Sequence, residues 1–271
     1  MNKLSLFLEG VQGNFENIRM RKLGLPDFET VADTRGRDEE MAARLRNHNF
    51  KDEAFNAVKC GPDQCGFNPC RDGCNRGSRR RRIEMLESAV PIFQNHSGPV
   101  FSVTIVHPKW ELESGQLSSI KLLTIRQWWA RRLNDIPSNI IALGNIEVTW
   151  NIEPDDWAHW AGEIQAVVAG ATAAQLRKAF AGIPKRSPNA KPVMISRIND
   201  LPRKLAYAQK HLVERRTAFQ SQVNGRQARG HMPPPWARWA EHDAWLLGLP
   251  LGARTLTFGL ARVGQRVFLR S

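Results

Sequence analysis

Residues 140–150 read IIALGNIEVTW, and residues 163–169 read EIQAVVA. Both runs are rich in β-branched and other apolar residues, which favours strands over helices. The residues between them, NIEPDDWAHWAG, are rich in turn-forming types. We therefore expect two consecutive strands of one sheet.

The neighbouring segments extend this pattern in both directions. The other predicted elements are a strand at Val100–Val106, helices at Ser114–Asn134 and 172–180, a strand at Pro192–Arg197 and a helix at Asp200–Phe219. The order β-α-β-β-α-β-α predicts an α+β fold with a ferredoxin-like (split βαβ) antiparallel sheet that carries its helices on one face. Such a sheet leaves its other face open for a site.

The composition excludes several classes of protein. The chain has 271 residues and 42% hydrophobic content, and no apolar run approaches the roughly 18 residues of a membrane helix. The first 20 residues have no small-residue cleavage site typical of a secretory signal. We therefore expect a cytoplasmic globular protein without membrane contact, rather than a spanning protein, a secreted disulfide scaffold or a disordered chain.

Positive charge is concentrated in the C-terminal part of the chain. Residues 1–170 contain 21 Lys and Arg against 22 Asp and Glu, whereas residues 171–271 contain 18 against four. Such asymmetry is typical of a nucleic-acid-binding protein, because each phosphate contact releases counterions. A solvated basic surface that only aids solubility is the alternative.

All four cysteines lie within 15 residues, at Cys60, Cys65, Cys70 and Cys74. Four thiolates on a turn-rich segment can surround a zinc ion, and the reducing cytoplasm disfavours disulfides. Free thiols and redox pairs are the alternatives. The run Arg79, Arg80, Arg81 and Arg82 follows directly at the start of a predicted helix, which suggests a phosphate clamp positioned by the zinc.

These features divide the chain into four expected parts. They are a helical N-terminal arm (1–58), a zinc-binding segment with the arginine run (59–95), a core (96–220) and a basic C-terminal extension (221–271). The extension includes an alternating, arginine-rich tail over residues 255–270, which predicts a hairpin.

Across residues 60–217, motif order and spacing resemble the rolling-circle replication initiators (Rep proteins), a branch of the HUH endonucleases. The matching segments are the cysteine and arginine cluster, VTIVHP at 103–108, EVTWN at 147–151, WAGEIQAVV at 160–168 and LAYAQK at 205–210. Family members carry a His-apolar-His strand where this chain has Glu163 and Gln165. The metal motif is therefore degenerate.

The resemblance implies nicking and joining of single-stranded DNA through a phosphotyrosyl intermediate, at the replication origin of a plasmid or mobile element. It assigns the nucleophile to Tyr207, the only tyrosine of the chain, and a supporting role to Lys210. Cations near this tyrosine would bind the phosphate and favour the phenolate. The expected nucleic-acid contacts are the four arginines of the run, Arg203, Lys204, Arg215 and Arg216.

Catalysis in this family uses a divalent ion. The corresponding ligands here are Glu163, Gln165 and, on the preceding strand, Glu147, an all-oxygen set suited to Mg²⁺ or Mn²⁺. His107 and His159 are further candidates for a nitrogen ligand, although a lone histidine is more often part of the core or surface.

Three classes of function stay open. The first is a metal-dependent nicking and joining enzyme, the second a catalytically inactive Rep-derived DNA-binding regulator, and the third a zinc-containing RNA-binding protein. The two long predicted strands lack the paired aromatic residues on which RNA-recognition modules stack bases, which disfavours the third. Candidate partners besides origin-like DNA are replication proteins and a second copy of the chain.

Overall fold

A computed structural model describes residues 3–59, 69–137, 139–153, 155–185, 191–210, 215–220 and 227–270. Side chains are described for these residues except 3–12, 215, 217–220, 227–229 and 231. The helices are α1 (Lys3–Lys22), α2 (Val31–Asn47), α3 (Lys51–Val58), α4 (Asn75–Gln94), α5 (Leu122–Asn134), α6 (Ala173–Ala179), α7 (Leu201–Tyr207) and α8 (Trp236–Gly248). The strands are β1 (Val100–Leu112), β2 (Ile141–Ile152), β3 (Ala158–Ala169), β4 (Val193–Arg197), β5 (Arg215–Gln220), β6 (Gln227–Met232), β7 (Thr255–Phe258), β8 (Leu260–Val263) and β9 (Arg266–Leu269).

The protein is α+β, as the sequence predicts, and its centre is an antiparallel sheet. Four strands lie in the order β4-β1-β3-β2, and β7 pairs antiparallel with the first half of β2. On the same side of β2, residues 150–152 near its end pair in parallel with β5. Strand β6 then pairs antiparallel with β5. Residues 255–258 of the expected C-terminal extension are therefore part of the sheet, and β8 and β9 form the predicted hairpin.

Helices α5 and α6 pack on one face of the sheet. Ile125, Trp129 and Leu133 recur at helical spacing on α5 and join Ile146 and Ile164 of the sheet in one buried cluster. In α6, Thr172 and Gln175 form a capping box, as the sequence predicts for the start of this helix.

The expectation that helices occupy one face only is wrong. On the opposite face, α4 and α7 share an apolar cluster with Ile141, Leu143 and Val167 of the sheet. The cause is the apolar stripe of α4, with Ile83, Leu86, Val90 and Phe93 at spacings of three and four residues, which has to be buried. These helices cover one end of the face and leave its other end to polar side chains.

The prediction of a long helix over residues 200–219 is also wrong, except for its first two turns. Helix α7 ends at Tyr207, and residues 215–220 form β5 instead. The first long helix is shorter than expected as well, because α5 begins at Leu122 after a 3-10 turn at Leu117–Ser119. Within the described residues, no helix combines the length and the apolar character needed to cross a membrane.

Candidate functional site

A strip of buried polar side chains runs across three strands on the face that also carries α7. Glu147 lies directly opposite Glu163, and Gln165 lies between Asn145 and Thr104 in the next row. We call these five residues the polar strip. Because side chains alternate between the faces of a strand, the neighbouring Val103, Ile105, Ile146, Ile164 and Ala166 point into the apolar cluster under α5.

Two cations lie against the carboxyl groups of the polar strip. Arg216, at the start of β5, donates from Nη1 and Nη2 to the two oxygens of Glu163, both at 2.8 Å. Lys210 Nζ lies 3.6 Å from Glu147 Oε2. Burial, and secondarily the charge of Glu163, raise the pKa of Glu147 to about 8, so this carboxyl group holds a proton at neutral pH.

Tyr207 lies at the edge of the polar strip with its side chain 40% exposed. Lys210 Nζ donates a hydrogen bond of 3.0 Å to the Tyr207 hydroxyl, so one ammonium group contacts both the phenol and Glu147. Lys204 places its ammonium 4.8 Å from the centre of the Tyr207 ring. The structure thus brings together Tyr207, Lys210, Glu147, Glu163 and, through Glu163, Arg216.

Contacts to β2 hold the turn after α7 in place. The Gln209 side chain donates to the Gly144 carbonyl at 2.9 Å, and the Asn145 side chain donates to the Lys210 carbonyl at 3.2 Å. Sequence reasoning missed both residues. The available signal was a polar asparagine in an otherwise apolar strand, since a buried amide needs a hydrogen-bond partner.

The three expected ligands of a divalent ion lie together, but the oxygens of Glu163 and Gln165 have protein partners. Arg216 binds both oxygens of Glu163, and Thr104 donates to Gln165 Oε1 at 2.7 Å. Glu147 Oε1 has no hydrogen-bond partner within the described residues. In those residues no group of three or more His, Cys, Asp and Glu side chains is arranged to hold a metal ion. A divalent ion at this position would have to displace Arg216 from the oxygens of Glu163.

The candidate histidines do not complete such a site. His107 packs against Trp110 and Trp128 on the α5 side of the sheet, and burial lowers its pKa. His159 lies opposite Asn151 in the sheet and stacks on Trp157, with 3.9 Å between the ring centres.

The described half of the cysteine cluster is compact. Cys74 caps α4, and its sulfur accepts a hydrogen bond of 3.3 Å from the Gly77 backbone N–H. A Cβ added to Gly77 would lie 2.3 Å from Cys70 Sγ and 3.3 Å from Cys74 Sγ. Glycine therefore lets both sulfurs approach the first turn of α4, an arrangement that fits a zinc site of four cysteines. Cys60 and Cys65 lie outside the described residues.

Most of the arginine run is engaged inside the protein. Arg79 pairs with Glu16, Arg82 pairs with Glu29, and Arg81 is fully buried and donates to Thr255 Oγ1 at 2.8 Å. Of the four arginines, Arg80 is the one with an exposed side chain. A clamp of four guanidinium groups on a phosphate is therefore not what the structure contains.

The other predicted DNA contacts differ in their surroundings. Arg203 is exposed on α7 and lies 3.7 Å from Asp27 and 3.8 Å from Asp200. Lys204 is half-buried beside Tyr207. The side chain of Arg215 lies outside the described part of the structure.

Comparisons of the chain with models of known protein families, with curated proteins and with solved structures found no match. The fold and the side-chain geometry therefore carry the functional argument.

Proposed function

We propose that the protein binds single-stranded DNA and nicks and joins it through a phosphotyrosyl intermediate on Tyr207, as a Rep-like initiator of a plasmid or mobile element. One observation carries this function: an exposed tyrosine hydroxyl accepts a hydrogen bond from Lys210 beside a buried, charged strip. A solvent-accessible phenol held by an ammonium group is suited to attack a phosphodiester.

The reaction is a transesterification that needs no redox partner. The Tyr207 oxygen forms a bond to phosphorus, and the bond from phosphorus to the DNA 3′ oxygen breaks. The proton lost by the phenol ends on the leaving oxygen, which becomes a 3′-hydroxyl. Joining is the same reaction in reverse.

The electrostatics of the polar strip support phosphate binding beside Tyr207. Burial raises the pKa of Glu147, which reduces the negative charge that faces the Lys210 ammonium, while Arg216 binds Glu163. The Lys210 ammonium lies 3.0 Å from the Tyr207 hydroxyl. Lys210 would neutralise charge that develops on the attacked phosphate.

The proposed Rep-like function includes a core with the ferredoxin-like fold. The chain order β1-α5-β2-β3-α6-β4 and the sheet order β4-β1-β3-β2 support it, since this is the arrangement of a split βαβ unit. The sheet then acts as a platform that presents the polar strip below α7.

A structural zinc ion is the proposed cofactor. Cys60, Cys65, Cys70 and Cys74 would hold it, and the zinc would fix the chain before α4. The close approach of Cys70 and Cys74 to Gly77 supports this assignment.

A second function is favoured by the ion pairs of the polar strip. Arg216 and Lys210 occupy the carboxylates that a metal-dependent nickase would use. A Rep-derived regulator that binds DNA without cutting it would need Tyr207 only for contact.

The deciding experiment is a denaturing gel of the protein incubated with single-stranded DNA, in parallel samples with Mn²⁺ and with EDTA. We expect a boiling-resistant protein–DNA band in both samples, because protein cations occupy the carboxylates. The band should be absent with Tyr207→Phe, while this variant keeps its affinity for DNA. DNA binding without any adduct would establish the regulator instead, and an adduct that requires Mn²⁺ would show that the ion pairs open.

A further inference from the structure

A second basic site lies away from Tyr207, on the α5 side of the sheet. A cleft of about 380 Å³ opens between α5 and the β7–β8 segment. Its polar lining consists of Arg126, Gln127, Thr255, Thr257 and Arg262, and Trp129 closes its apolar side. Nothing in the proposed nicking reaction uses this cleft.

Positive charge around the cleft exceeds the negative charge available to balance it. Arg126 lies close enough to Arg262 for their charges to oppose each other, and burial also lowers the pKa of Arg126. Behind them, Arg81 and Arg254 share the carboxylate of Asp72, and Arg254 Nε donates to it at 2.6 Å. Within the described part of the chain, Asp72 is the carboxylate that binds this group of four guanidinium groups directly. Like charges at a cleft are stabilised when an anion binds there.

Two buried hydrogen-bond donors of the cleft lack partners. Arg126 Nε and Trp129 Nε1 have no acceptor within the described residues. Trp129 is 1% exposed, so solvent hardly reaches its indole nitrogen. Buried donors without acceptors are rare in folded proteins, but neither nitrogen is exposed to the cleft, so a ligand there would meet the guanidinium groups of Arg126 and Arg262 rather than these two atoms.

We propose that this cleft binds a phosphate group. Guanidinium groups bind phosphate oxygens in a bidentate manner, and Arg126 and Arg262 both line this cleft. The volume exceeds that of an isolated phosphate and is in the range of small-molecule sites, so the ligand is a phosphate that carries an attached group. That phosphate belongs either to a free nucleotide or to the backbone of a bound DNA strand.

Calorimetric titration of the full-length protein with dAMP tests the site, with Arg126→Gln, Arg262→Gln and the double variant beside the wild type. Arg131→Gln is the matched control, because Arg131 is exposed on the same helix and does not line the cleft. We expect each single variant to weaken dAMP binding about tenfold, since each removes one charge-assisted contact. The control should bind like the wild type.

A competition arm separates the two sources of the phosphate. If a saturating single-stranded oligonucleotide displaces dAMP, the cleft takes a DNA phosphate, and if both bind together it takes a free nucleotide. Arg126→Lys keeps the charge without the guanidinium fork and replaces Arg126→Gln if that variant fails to fold. No dAMP binding at about 10 mM, or equal affinity in the double variant and the wild type, would overturn the inference.

Discussion

At the scale of single residues, Lys210 links the parts of the proposed catalytic site. Its backbone N–H donates to the Tyr207 carbonyl at 3.0 Å, in the turn that follows α7, and its ammonium returns to the Tyr207 hydroxyl. Asn145 fixes the carbonyl of Lys210 from the sheet below. The distance between phenol and ammonium therefore depends on the sheet as well as on the helix.

Replacement of Lys210 by Met should remove the hydrogen bond to the Tyr207 hydroxyl while keeping most of the side-chain volume. We expect the rate of adduct formation to fall about 100-fold, the typical loss for a charge-stabilising donor. Single-turnover kinetics on single-stranded DNA measure this rate. Lys204→Met is the control, because the Lys204 ammonium lies over the Tyr207 ring without a hydrogen bond to the hydroxyl. Equal rates for both variants would refute the role of Lys210.

Glu147 gives the site a predicted pH dependence of stability. Its pKa in the folded protein is about 8, against an ordinary value of 4.5, so the folded protein holds a proton that the unfolded chain releases between these values. The free energy of unfolding should therefore fall as the pH rises from about 4.5 to 8 through this group. The Glu147→Gln variant has no titrating group at this position. Urea unfolding should show that the stability of the variant relative to the wild type increases across this pH range. If the free energies of unfolding of the two proteins change with pH in the same way, Glu147 does not have a raised pKa.

At the scale of elements, the first turn of α4 depends on a glycine. Because a Cβ at position 77 would lie 2.3 Å from Cys70 Sγ, Gly77→Ala should force the sulfur or the helix to move. We expect a loss of about 1–3 kcal/mol in stability, the usual cost of overpacking, together with weaker zinc retention. Thermal unfolding and metal analysis measure the two effects. Gly36→Ala is the control, since nothing lies within 4 Å of a Cβ at that helical position.

The four strands β1 to β4 could be predicted from the sequence, because β-branched runs between turn residues carry local information. The placement of Glu163 and Gln165 on one face, next to Glu147, also follows from strand alternation. The helix over residues 200–219 could not be excluded locally. Its second part becomes β5 because the edge of β2 from Trp150 to Ile152 offers backbone partners to Arg215–Thr217.

The roles of the arginine run could not be predicted for a related reason. The partners of Arg79 and Arg82 are Glu16 and Glu29, which are more than 50 residues away in the chain. Long-range ion pairs leave no local signal in a sequence. A run of arginines therefore looked like an exposed surface although three of its members are buried.

At the scale of the whole molecule, the C-terminal part differs from the rest of the chain in how few acidic residues accompany its cations. The exposed cations described in this part are Arg177, Lys178, Lys185, Lys191, Arg197, Arg203, Arg262, Arg266 and Arg270. Acidic residues are scarce over the same range, with four in residues 171–271. Long-range attraction between this surface and a polyanion follows from that imbalance.

Affinity for single-stranded DNA should fall with salt concentration, with a slope of about −0.7 in log K against log salt for each phosphate neutralised. Arg203→Gln removes an exposed cation beside Tyr207 and should make the slope less steep by about 0.7. Fluorescence anisotropy at several salt concentrations measures both. Lys51→Gln, an exposed cation in the neutral N-terminal part, should leave the slope unchanged. An unchanged slope for Arg203→Gln would place the DNA elsewhere on the surface.

The most direct measurement of the central claim is mass spectrometry of the protein after reaction with single-stranded DNA and nuclease digestion. The account predicts a peptide in which Tyr207 carries a nucleotide through a 5′-phosphate, and a matching DNA fragment with a free 3′-hydroxyl. Tyr207 is the only tyrosine of the chain, so the assignment of the modified residue is unambiguous. Cleaved DNA with an unmodified Tyr207, or a nucleotide on another residue, would contradict it.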